Sequence, residues 1–242
     1  MFDAHLTPDG LSNADLETLA QFGVKAALVH VSRTAPRERL VADDAQLARL
    51  RAVGIDAFTL ARVSRSVAAK GGTHASLDRL VRSLNHPSVV AIGPLEPTGD
   101  ADELLLDQLA IAQQYSRRVV VSVLNAPKRP RTAAVLKLLH RSKLEPETVL
   151  LMGVTAKTIR SVLARGHYVG LTLRPDGMGV DVGERLVHSL GPERLVAASG
   201  AGEGASDLLA LPRFVSRLKT ARLSTSVVSL VGGKNLRTFL GR

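Results

Sequence analysis

Asp3 and His5 stand two residues apart near the start of the chain, in Asp3-Ala4-His5-Leu6-Thr7. Two residues is the repeat of one strand face. An imidazole is a strong ligand for a divalent cation, and a neighbouring carboxylate can orient it. Glu96 and Glu203 could add oxygen ligands, so that His5, Glu96 and Glu203 would form a single-metal site with water in the open position. Such a site would activate that water for hydrolysis. The chain has no cysteine, so thiolate zinc sites, disulfides and cysteine nucleophiles are excluded. A second set of residues points to a different chemistry. Arg62, Asn125, Lys128 and Arg174 are donors of the kind that hold phosphate or carboxylate.

These residues are far apart in sequence and need a scaffold that gathers them. Short apolar or β-branched runs at 1–6, 25–31, 56–61, 89–93, 118–124, 149–153, 168–173 and 195–199 read as strands. Amphipathic segments alternate with them, at 14–22, 44–53, 76–84, 101–115, 132–140, 156–164, 182–190 and 205–219. Asn13, Thr155, Ser206 and Asp207 supply start signals, while Gly23, Gly54, Gly166 and Gly191 supply stops. Uninterrupted runs such as Val119-Val120-Val121 suit strands covered on both faces. Eight β-then-α units of about 30 residues predict a TIM-type (β/α)8 barrel. Residues 225–240, broken at Gly232-Gly233, predict an extra C-terminal helix that closes it. A doubly wound open sheet is the competing arrangement, and it lacks the glycine-rich turn expected after an early strand. With 242 residues and no linker or low-complexity stretch, the whole chain is expected to be a single domain.

Function in such a barrel sits at the C-terminal ends of the strands, which is where the residues named above fall. At these loops the chain resembles the TatD-like metal-dependent hydrolases of the amidohydrolase superfamily. The resemblance rests on Asp3-x-His5, on Ala91-Ile92-Gly93 at the fourth strand, and on 158–175, which looks like a segment of an archaeal-type TatD-like subgroup. Ser206-Asp207-Leu208-Leu209-Ala210-Leu211-Pro212 and Asn235-Leu236-Arg237-Thr238-Phe239-Leu240 echo motifs of the last loop and the terminus. The resemblance implies histidine ligands on the first, fifth and sixth strands, a Glu on the fourth and an Asp after the eighth. This sequence has His5, but Thr7, Ser122 and Gly153 stand where further histidines are implied, Pro94 replaces the Glu, and Gly200 follows Ser199. A divalent metal such as zinc is therefore expected only if the family activity survives.

Charge supplies an independent constraint. Lys plus Arg number 32 against 22 Asp plus Glu, a formal charge of +10, which favours an anionic partner such as nucleic acid, a phosphorylated metabolite, an acidic lipid surface or an acidic protein. Much of it is expected on one rim: Arg33, Arg37 and Arg39; Arg62, Arg65 and Lys70; Lys128, Arg129 and Arg131; Arg174. Aromatic residues make up 3%, with no Trp, which argues against stacking of single-stranded bases. His30 could line the pocket or be a buried histidine bonded to backbone. His74, His86, His140, His167 and His188 are expected on the surface.

No apolar stretch reaches the roughly 20 residues of a membrane helix, and the N-terminus lacks a secretory layout. A cytoplasmic location without membrane insertion is expected. Three functions follow. The first is a catalytically degenerate binding or scaffold protein for an anionic small molecule or acidic protein segment. The second is an active hydrolase of phosphoester or amide bonds on a rebuilt His5 site. The third is non-specific nucleic-acid binding.

Overall fold

The computed structural model describes residues 1–30, 40–42, 44–98, 102–123, 132–175, 177–204 and 206–242. Eight strands, β1 (Phe2–Leu6), β2 (Ala26–Val29), β3 (Asp56–Ala61), β4 (Val89–Leu95), β5 (Arg118–Ser122), β6 (Val149–Met152), β7 (Tyr168–Thr172) and β8 (Leu195–Ala198), lie in sequence order in one sheet. Every adjacent pair is parallel. β1 also meets β8 across a seam where Leu6 bridges Ala201, Thr7 N donates to Ala201 O at 2.9 Å and Gly200 N donates to His5 O at 3.0 Å. The result is a nearly closed (β/α)8 TIM barrel with an added C-terminal helical segment, as the periodicity predicts.

Alternation along the strands separates two cores. Ala26 and Leu28, Val120, Leu150 and Met152, and Val196 and Ala198 pack with one another inside the bore. Ala27 and Val29, Val119 and Val121, Leu151 and Ala197 belong to the larger cluster under the helices. Both faces of each strand are thus covered, which explains why the strand sequences read as continuous apolar runs.

The outer layer is α1 (Asn13–Gln21), α2 (Asp44–Ala52), α3 (Arg65–Gly71), α4 (Thr73–Ser83), α5 (Glu103–Gln114), α6 (Thr132–Arg141), α7 (Ile159–Leu163), α8 (Val180–Leu190) and α9 (Ala210–Thr220). Ser12, one residue before the expected cap, starts α1 through a capping box with Asp15. α7 begins three residues later than expected because Thr155 O accepts from Thr158 N and Ile159 N in a preceding turn. α9 likewise starts at Ala210, after Asp207 Oδ1 has accepted from Leu209 N at 3.0 Å. α3 has no counterpart in the periodic reading. It is a helix of seven residues, capped by Ser64 Oγ accepting from Val67 N. The four stop glycines all have positive φ, between 81° and 90°.

After α9 the chain runs through α10 (Thr225–Ser229), a π-type turn at Leu230–Lys234 and α11 (Asn235–Leu240). The break comes at Gly233, where a side chain would press on Phe2 at 3.1 Å. Leu236, Phe239 and Leu240 join the inner core, and the Phe239 ring lies 5.3 Å from that of Tyr168. Asn235 Nδ2 donates to Pro192 O and Leu195 O, tying the segment to the start of β8. The tail therefore stoppers the N-terminal end of the bore, leaving the other end as the mouth. No helix among the described residues is long and apolar enough to cross a membrane.

Candidate active-site mouth

Inward-facing positions at the C-terminal ends of the strands meet in a concavity. Its lining includes His5, His30, Arg62, Glu96, Ser122 and Glu203. His5 Nε2 lies 3.1 Å from Glu203 Oε2, and the same oxygen accepts from Arg174 NH1 at 3.4 Å. Opposite them, Arg62 NH1 donates to Pro94 O at 2.9 Å and to Glu96 Oε1 at 3.2 Å. Side chains of both arginines are largely shielded, at 17% and 16% exposure, so these ion pairs are less screened than surface ones.

Each of these groups has a local reason for its position. Arg62 follows β3 and its loop is clamped by buried Gln108, whose Oε1 accepts from Val63 N and whose Nε2 donates to Val63 O. Glu96 follows β4, which continues past Gly93 through a cis Gly93–Pro94 peptide to Leu95. Regular pairing with β5 shifts between Ile92 and Leu95, as the prolines suggest. Glu203 reaches in from the turn after β8 because Gly200, at φ +65°, lets that turn close against Arg174. A side chain on Gly200 would meet Arg174 Cδ at 2.5 Å.

Beneath the mouth, Asp3 is fully buried. Its carboxylate accepts from Ser199 N, Ser199 Oγ and His5 N. It orients the His5 backbone, not the imidazole as the sequence suggests. Burial raises its pKa above the ordinary carboxylate value, the hydrogen bonds from Ser199 and His5 opposing the shift.

His30 is buried, and its ring stacks on that of His5 at 4.0 Å between centroids and 8° between planes. Burial drives its pKa well below the ordinary histidine value, and the neighbouring His5 and Arg62 push it the same way. Its Nε2 lies 3.1 Å from Ala4 O, an atom that can only accept, so Nε2 carries the proton. Nδ1 is left as a lone pair with no hydrogen-bond partner among the described residues.

No protein-family model matches the chain. A protein of Methanocaldococcus jannaschii named as an uncharacterized metal-dependent hydrolase is 25% identical over 260 residues, spanning 99% of both chains. The solved TatD-like protein of Archaeoglobus fulgidus superposes with a TM-score of 0.78 over 100% of each chain, at 19% identity. The chain shares the (β/α)8 fold of this TatD-like protein. The phosphotriesterase homology protein of Escherichia coli, solved with phosphate in its active site, shares the fold with a TM-score of 0.74 at 14% identity, covering 99% of this chain and 98% of that one.

In this barrel the positions beyond His5 for which the resemblance implies metal ligands hold other groups. Thr7 and Ser122 line the concavity. On the sixth strand the inward residue is Met152. Gly153, expected there from sequence, turns away at φ +71° and abuts Val123 O. Ser199 spends its side chain on Asp3 and on Ala201 N. The His5, Glu96 and Glu203 set is only half assembled. His5 and Glu203 meet, whereas Glu96 faces Arg62. Among the described residues no three His, Asp or Glu side chains form a group that could hold a metal ion. Asp207, the other acidic candidate of that loop, pairs with Arg213 at 2.7 Å on the outer helix.

Of the expected anion-binding residues, Arg62 and Arg174 come to the mouth, and Asn125 and Lys128 lie outside the described residues. Of the wider basic rim, Arg33, Arg37, Arg39, Arg129 and Arg131 also lie outside them. Arg65 is pinned by Asp102 at 2.6 Å. One histidine assignment is overturned. His167 is buried, not on the surface, with Nδ1 3.1 Å from Pro146 O, and burial lowers its pKa.

Proposed function

We propose that this TatD-like barrel has lost its two-metal centre and works as a binding protein whose mouth accepts an anionic small molecule or an acidic protein segment. One observation carries the reading. Two guanidinium groups, Arg62 and Arg174, occupy the mouth together with His5, each held by a glutamate. A two-metal centre would polarise and ionise a water through several converging imidazoles and carboxylates. The residues present do not fit it. Thr7, Pro94, Ser122 and Met152 supply no imidazole or carboxylate, and the one carboxylate that meets His5, that of Glu203, is shared with Arg174. Nor does His30 complete the set. A metal lies in the plane of the imidazole that binds it, and two parallel rings stacked 4.0 Å apart do not share a plane.

An incoming carboxylate or phosphate would instead take over the donors that Glu96 and Glu203 now occupy. Exchange of one anion for another costs little desolvation, since the guanidiniums stay paired throughout. Planar arginine donors favour ligands that present two oxygens.

A second reading, an active single-metal hydrolase, draws on the 3.1 Å approach of His5 Nε2 to Glu203 Oε2. One experiment separates the two. Elemental analysis is made of protein dialysed without chelator and again after zinc or manganese loading, alongside calorimetric titration with inorganic phosphate and a polyglutamate peptide. The binding reading expects metal-free, folded protein, with anion affinity that drops when Arg62 and Arg174 are replaced by Ala. Near-stoichiometric metal that vanishes in His5→Ala would overturn it and establish the hydrolase.

A further inference from the structure

The face opposite the mouth carries a feature that neither reading uses. Because all eight strands are parallel, the turns that lead into them lie at one end of the barrel. These turns bear Lys25, Lys143, Arg165 and Arg194, with Arg118 at the start of β5 and Arg222 in the turn after α9 beside them, all exposed except half-buried Arg118. Arg51 and Arg82 in the last turns of α2 and α4 extend the ring. Arg237 and Arg242 of the tail lie over the Phe2 and Phe58 rings at its centre. Asp56, Glu145, Glu147 and Glu193 are the acidic residues of the same turns, and they are outnumbered.

Helix ends favour cations through the macrodipole, and this explains part of the ring. It does not explain the backbone. Lys143, Arg194 and Arg222 have φ of 57°, 61° and 58°, a left-handed conformation in which glycine is the unstrained choice. Three of the four non-glycine residues with positive φ among the described residues are therefore cations of this one face. The two large hydrophobic side chains exposed among the described residues, Phe22 and Tyr115, also stand here, at the C-caps of α1 and α5.

We infer that this N-terminal face of the barrel is a peripheral docking surface for an anionic phospholipid bilayer, with Phe22 and Tyr115 entering the headgroup region. Cations distributed around the entire end of the barrel meet a planar anionic surface all at once, whereas a nucleic-acid strand would engage only a stripe of them. Basic residues supply the attraction, and exposed aromatic rings are suited to the interface. Docked in this way, the protein would hold its mouth toward the aqueous phase. The inference is independent of what the mouth binds.

Co-sedimentation of the intact protein with phosphatidylserine–phosphatidylcholine vesicles, against pure phosphatidylcholine vesicles, tests it. Binding is expected only to the anionic vesicles and should weaken from low to physiological salt. A cation near such a surface contributes roughly a fivefold factor, so combining Lys25→Glu, Arg165→Glu, Arg194→Glu and Arg222→Glu should lower partitioning on the order of a hundredfold or more. The same number of reversals away from this face, at Lys137, Arg160 and Arg185 on outer helices and at Lys157 in the turn before α7, should leave most binding intact. Phe22→Ser in the otherwise native protein should weaken it severalfold.

Equal loss in both charge-reversed proteins would reduce the effect to total charge and overturn the inference. So would salt-insensitive binding of the parent protein, which needs no variant to fold. Retention of a short DNA duplex at a salt concentration where anionic vesicles are ignored would also overturn it and reassign the face to nucleic acid.

Discussion

Asp3 and Ser199 clasp the two edges of the barrel: the Asp3 carboxylate, on the first strand, accepts from Ser199 N at 2.9 Å and from Ser199 Oγ just past the eighth. Asp3→Ala would leave the Ser199 amide buried without its acceptor, at a cost of roughly 2–3 kcal/mol. Asp3→Asn keeps an acceptor and removes a carboxylate whose ionisation burial disfavours. Chemical denaturation should therefore rank the Asn variant well above the Ala variant. Equal loss in both would mean that the charge, not the hydrogen bonding, holds the seam.

Gly200→Ala is expected to disturb the mouth without replacing a charged group. The substitution forces an L-residue to φ +65° and drives a methyl into Arg174. Backbone strain alone should cost roughly 1–2 kcal/mol. Displacement of Arg174 from Glu203 should also change anion affinity measured by calorimetry. A variant that keeps wild-type stability and binding would show that this turn is freer than its geometry implies.

Glu203→Gln distinguishes the two readings of the mouth by sign. If Glu203 competes with an incoming anion for Arg174, its neutralisation should tighten phosphate binding, on the order of tenfold for one charge-assisted hydrogen bond released. If Glu203 is a metal ligand, the same change should lower zinc uptake and leave phosphate binding unimproved.

His167 should make the fold sensitive to acid. Its pKa is lowered by burial from the ordinary 6.5, so the unfolded chain binds a proton that the folded one excludes. Stability from this group is present above 6.5 and is lost as pH falls below it toward the depressed folded value. Buried His30 acts in the same direction. Melting curves across this range should show a shallower acid decline in His167→Gln than in the parent protein, and an unchanged slope would exclude His167 as a contributor.

The barrel is legible in sequence because its determinants are local. Val119-Val120-Val121 can be buried on both faces only in a strand with helices outside it. Gly23, Gly54, Gly166 and Gly191 mark helix ends through a conformation that each residue adopts by itself. The candidate site is legible only in part. His5, Arg62, Arg174 and Glu203 can be placed at the mouth from sequence because strand ends set their positions. Their pairing cannot, since it depends on which side chains the turns after β3, β4 and β8 bring together. The exchange of Met152 for Gly153 turns on a single residue of register, which reverses the facing of a side chain. His167 escaped for a similar reason, because its burial is decided by Pro146, far away in the chain. α3 shows no stripe over its seven residues and left no periodic signal.

The stopper at the closed end has a bearing on how the protein comes into being. Phe2 and Phe239 share one inner cluster although nearly the whole chain separates them. A nascent polypeptide can pair its early strands in order, but it cannot fill its own bore until α11 has been synthesised. Growing chains must therefore spend most of translation as incomplete barrels with an open seam and an apolar lumen, the condition in which strand edges are open to wrong partners.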